Sequence, residues 1–191
     1  MAQQSLPLTS ENAIVVENVA LAGIGKEASI PCYVRSECRR LWEFLENPKT
    51  WKFIVGCPGV GKSIIALAYV MHWIQSEVNR GKSLVYIHSN TAIRQAFTVD
   101  STGHCVEFIF QGDDDNEMKE FARKTCYGRY DMTVVDETNS NIMKNLFVNR
   151  EPNHRLIICT SFDAISFNSE CHEVVKDHFT MLLRTEMTGQ V

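Results

Sequence analysis

Two short stretches carry residue types at spacings that suit chemistry on a phosphate group. In FIVGCPGVGKSIIAL, residues 53–67, Gly56, Gly61, Lys62 and Ser63 satisfy G-x-x-x-x-G-K-[ST]. Glycines let the backbone curl so that successive amide N–H groups converge on an anion. A helix opening near Gly61 adds the positive end of its dipole. Lys62 supplies a mobile cation for β- and γ-phosphates, and the Ser63 hydroxyl a ligand for Mg²⁺. Cys57, Pro58, Gly59, Val60 and Ile64 complete the expected cradle. Pro58 fixes its own φ and biases Cys57 towards an extended conformation, which carries the chain out of the preceding strand.

The second stretch is DMTVVDETN, residues 131–139, an apolar strand that ends in Asp136 followed at once by Glu137. Side chains alternate along a strand, so the two carboxylates can take separate roles. Asp136 is expected to hold Mg²⁺ through its water shell together with Ser63, and Glu137 to orient and deprotonate an attacking water. RLIICTS, residues 155–161, ends in Thr160 and Ser161, either of which can report the γ-phosphate from a neighbouring strand. The bland alternatives are two acids capping a strand end and a polar strand terminus.

The rest of the sequence must position these groups. At 191 residues the chain suits one domain. Its 19 Lys and Arg against 23 Asp and Glu give a formal charge of -4, so no global attraction to nucleic acid is expected, although a local basic patch is allowed. Seven Cys residues without CxxC pairs fit reduced thiols better than a disulfide framework. No apolar run approaches the roughly 20 residues that span a bilayer, and the first residues lack the basic start and apolar core of a secretion signal. The expected protein is therefore soluble and intracellular, with no membrane partner.

Apolar runs predict strands near 13–22, 51–55, 83–88, 131–135 and 155–160. Phe97–Val99 and Cys105–Phe110, flanking DSTG, predict a hairpin. Helices are expected over 35–46, 62–79, 118–126, 139–148 and 170–184, and residues 1–10 as a loose start. GIGK at 23–26 looks like a phosphate loop but lacks half of the spacing. The fold class that follows is α/β: a mainly parallel sheet covered by helices on both faces, with a β-hairpin insertion.

The acidic pair resembles that of the additional-strand ATPases, the branch containing AAA+ proteins and helicases. With YVRSECRRLWEFL (33–45), GCPGVGKSIIALAYVMHWI (56–74), TVVDE and LIICTS, the chain is similar to the P-loop NTPase domain of crinkler effectors and retrotransposon hot spot proteins. The expected division is an N-terminal extension with short strands over 1–32 and an NTPase domain over 33–191, and the sequence departs from the family plan in leaving little room for a lid. The resemblance implies a Mg²⁺-dependent nucleoside-triphosphatase using ATP, with GTP the other candidate base. It also implies secretion and action in a host nucleus or cytoplasm, and a host protein, a nucleic acid or a second copy of the chain as partner. Arg123, Arg129, Arg150 and Arg155 are candidates for an arginine finger acting across a homo-oligomer interface. Arg35, Arg39 and Arg40 share a helix and face solvent, DNA or a partner. ECHEVVKDH, residues 170–178, lacks a nuclease constellation. A nucleotide-binding module with little turnover, a nucleotide or small-molecule kinase, and a nucleic-acid-stimulated ATPase are the competing readings.

Overall fold

The computed structural model describes residues 13–47, 51–57, 59–89, 93–110, 115–125, 129–136, 154–161 and 179–183. In chain order these form β1 (Ala13–Glu17), β2 (Ser29–Tyr33), α1 (Ser36–Glu46), β3 (Trp51–Gly56), α2 (Lys62–Gln75), a 3₁₀ turn (Glu77–Asn79), β4 (Leu84–Ser89), β5 (Arg94–Val99), β6 (Cys105–Ile109), α3 (Asp115–Thr125), β7 (Met132–Asp136), β8 (Arg155–Thr160) and β9 (Phe179–Leu183). Pro58, Glu137, Arg150, the expected loose start and the expected helix over 139–148 lie outside the described residues.

The chain is an α/β protein. β1 and β2 form an antiparallel pair, and the other strands form one seven-stranded sheet ordered β6-β5-β4-β7-β8-β3-β9. From β4 to β9 that sheet is parallel throughout. Strands buried on both faces must be apolar at nearly every position, and β4 and β7 are buried at every residue.

Strand alternation divides the apolar side chains between two cores. On one face, Ile54, Leu84, Tyr86, Met132, Val134, Ile157 and Cys159 pack with α1, α2 and the inner residues Ile14 and Val16 of β1. On the other, Phe53, Val55, Val85, Ile87, Val135 and Ile158 pack with Met118 and Ala122 of α3. Helix α2 lies between the sheet, α1 and the β1–β2 pair. It buries Ile65, Ala66, Leu67, Ala68, Tyr69, Val70 and Trp73, which explains an apolar pattern running nearly all round it.

The predicted hairpin forms, with β5 antiparallel to β6 from Gln95↔Ile109 to Val99↔Cys105; β5 also pairs antiparallel with the full length of β4, from Leu84↔Val99 to Ser89↔Arg94, so the hairpin continues the main sheet. One expectation is corrected. Within the closing helix expected over 170–184, Phe179–Leu183 is instead a strand parallel to β3, in register from Lys52↔Phe179 to Gly56↔Leu183. A run as short as FTMLL suits either state by periodicity. The outer edge of β3 decides it by offering backbone partners.

Candidate functional site

The strand order gathers the singled-out residues along one edge of the sheet. Gly56 ends β3, Asp136 ends β7 and Thr160 ends β8. In register, Val55 sits beside Thr160, Asp136 beside Cys159, and His88 beside Asp136. β3 lies between β8 on one side and β9 on the other, although the chain leaves it for β4. Ligands of open parallel sheets bind at the carboxyl ends of strands where the winding reverses in this way.

The glycine loop leads from β3 into α2. Gly59 and Gly61 have φ of 78° and 89°, a left-handed backbone that favours glycine. A Cβ built on either meets no atom within 4 Å, so the space above the loop is open among the described residues. Lys62 is buried and folds back, its Nζ donating to the carbonyls of Gly56 and Cys57, both at 2.9 Å. The Arg35 guanidinium, at the start of α1, donates to the Val60 carbonyl at 2.9 Å. Arg35 is therefore a brace for the loop.

Ser63 joins the two halves of the site. Its hydroxyl donates to Asp136 Oδ1 at 2.8 Å, linking the first turn of α2 to the end of β7. Asp136 is fully buried and accepts two more bonds at Oδ2, from the Tyr86 hydroxyl at 3.1 Å and from His88 Nδ1 at 2.9 Å. A carboxylate only accepts, so that ring nitrogen carries the proton. Sequence reasoning missed Tyr86 and His88. Their one signal is the two-residue spacing in SLVYIH, which puts both on one face of a strand; which strand they would adjoin was not readable.

Thr160 and Ser161 separate here. Thr160 is 1% exposed, and its Oγ1 has no hydrogen-bond partner among the described residues. A buried hydroxyl without a partner carries a desolvation cost that a ligand atom can relieve. Ser161 is half-buried and makes contacts of its own.

The discounted GIGK stretch packs beside the site. Gly23 has φ 71°, and a Cβ there would meet Ile93 Cγ2 at 3.0 Å, His88 Cδ2 at 3.2 Å and Gln95 Oε1 at 3.3 Å. Gln95 Nε2 in turn donates to the carbonyls of Ala20 and Leu21. Gly23→Ala is expected to destabilise the fold by about 1–2 kcal/mol through left-handed strain, more where the crowded neighbours cannot move. A lower urea midpoint at unchanged slope checks it.

Other candidates lie elsewhere. Arg155 starts β8 at the opposite edge, where its guanidinium donates to the Leu45 carbonyl and the Tyr69 hydroxyl and lies 5.3 Å from the Tyr69 ring centroid. It is thereby removed as an arginine finger. Arg123 pairs with Glu120 on its own helix. Beside Arg155, Lys52 is completely buried and donates to the Asn47 carbonyl at 2.5 Å. Burial and the nearby Arg155 charge push its pKa from 10.5 down to about 7, against a smaller upward pull from Glu46.

Among the described residues, no group of three or more His, Cys, Asp or Glu is arranged to hold a metal ion. The Ser63 hydroxyl and the Asp136 carboxylate are hard oxygen donors, which fit Mg²⁺ when phosphate oxygens and water complete its shell. The open glycine loop and the unpartnered Thr160 hydroxyl likewise fit a phosphate chain. No protein-family model and no curated protein matches this sequence. No described helix is long and apolar enough to cross a membrane.

Proposed function

We propose that the chain is a Mg²⁺-dependent nucleoside-triphosphatase of the additional-strand P-loop type, with ATP as its substrate. The observation that carries this reading is the Ser63–Asp136 hydrogen bond. It couples a glycine loop and its helix to an acidic strand end 73 residues away. β8 lies between β3 and β7, as the additional-strand reading requires, and it ends in the buried Thr160 hydroxyl.

In this reading the backbone of residues 59–63 clamps the phosphates, and Lys62 leaves the loop carbonyls for the β- and γ-oxygens. Ser63 and Asp136 would hold Mg²⁺, which when bound neutralises charge on the phosphate oxygens. Glu137 takes the proton of the attacking water, and Thr160 reports the γ-phosphate. ATP is preferred to GTP on the family resemblance, as is action beside a partner in a host cell.

The native chain is expected to bind ATP more tightly with Mg²⁺ than with EDTA and to release inorganic phosphate. Nucleotide titration and phosphate release, run side by side, check both. Absence of nucleotide binding would overturn the proposal. Binding without release would support a nucleotide-held interaction module.

A further inference from the structure

The two oxygens of Asp136 are used differently. Oδ1 faces Ser63, while Oδ2 is engaged by Tyr86 and His88. Both donors come from β4, two residues apart on one face, with His88 in register beside Asp136. His88 is 2% exposed and is backed by the Gly23 turn, where even an added methyl group would crowd its ring. Tyr86 stacks on Phe97, ring centroids 5.3 Å apart. Turning the carboxylate would break both of these buried hydrogen bonds at once.

We propose that Tyr86 and His88 are positioning residues that hold Asp136 with one oxygen forward, and so set a preference of this site for Mg²⁺ over Ca²⁺. The proposal rests on the nucleotide reading above. Ca²⁺ takes about 6–8 oxygens and readily accepts both oxygens of one carboxylate, whereas Mg²⁺ keeps its waters in a tight octahedron and needs one. An Asp136 whose Oδ2 already accepts two hydrogen bonds cannot chelate bidentately without breaking them. Oδ1 remains available to the water shell of a small ion.

The test is binding of a non-hydrolysable ATP analogue, titrated with Mg²⁺ and separately with Ca²⁺. The native chain is compared with Tyr86→Phe, His88→Phe, the double variant and His88→Asn, with thermal unfolding recorded for each. Support from Mg²⁺ is expected to weaken about 10–100-fold in the double variant, as for loss of groups that orient a metal ligand. Ca²⁺ should lose far less, so the two ions converge. His88→Asn, whose amide nitrogen can stand near the Nδ1 position, should keep most of the native preference. A merely structural role would lower the unfolding temperature and leave the Mg²⁺-to-Ca²⁺ ratio alone.

If the native chain responds to Mg²⁺ and the variants keep its ion ratio, the positioning role is overturned while the nucleotide reading stands. If the native chain binds the analogue equally well in EDTA, the metal reading itself falls. Should the His88→Phe variants not fold, Tyr86→Phe removes a single oxygen, and its expected loss of about threefold in Mg²⁺ affinity carries the same test.

Discussion

Phosphate release by Glu137→Gln is expected to be about 10²–10⁴-fold slower than by the native chain, with Mg-ATP bound as tightly as before. Gln keeps the size and polarity of the side chain but cannot take a proton from water. Glu137 lies outside the described residues, and its role rests on its place directly after Asp136, whose own position is defined. Lys62→Ala should behave in the opposite way and lose the binding itself. In the free protein the Lys62 ammonium is satisfied by two loop carbonyls, so it is held at the loop before any ligand arrives. Charge-assisted bonds to phosphate are each worth about 1.5–3 kcal/mol, and removing the lysine should weaken binding roughly 100-fold. Equilibrium titration beside single-turnover phosphate release separates the two effects. A Glu137→Gln chain that turns over at the native rate would remove the general-base assignment, and a Lys62→Ala chain with native affinity would remove the phosphate cradle.

The second large effect concerns stability and lies at the other end of the sheet. Lys52 has a folded-state pKa of about 7 against an ordinary 10.5. Between those values the unfolded chain holds a proton that the folded chain has released, so stability rises with pH across that window. The penalty is complete below pH 7 and fades towards pH 10.5, by about 1.4 kcal/mol for each pH unit. Lys52→Met removes the titrating group and leaves the Asn47 carbonyl short of one donor, which offsets part of the gain. The variant should be more stable than the native protein at pH 7 by about 2 kcal/mol, and this advantage should shrink between pH 7.5 and 9.5. Urea unfolding of both proteins over that range measures the difference, in which titrations common to the two cancel. A difference independent of pH would mean that Lys52 keeps its proton in the folded state.

Much of the sheet was legible because its strands are short apolar runs punctuated by glycine, proline and charge. RLIICT needed no tertiary information to be read as a strand, and the observed limits of β8 are those the sequence predicts. FTMLL was misread because a run of five residues, four of them apolar, has no decisive period; the outer edge of β3 made it a strand. Arg155 was a finger candidate on its charge alone; its guanidinium is instead engaged by the Leu45 carbonyl and the Tyr69 hydroxyl, contacts with other elements that no spacing along the chain shows.

The candidate site divides in the same way. Sequence alone determined the glycine loop with Lys62 and Ser63 and the acidic end of β7, because these depend on spacing along one segment. Tertiary structure alone decided that β4 adjoins β7, which aims Tyr86 and His88 at Asp136, that Arg35 braces the loop at Val60, and that Gly23 backs His88. Each of those contacts joins residues far apart in the chain. Strand order and register bring them together, and those are set by how the whole sheet buries its two faces between α1, α2 and α3.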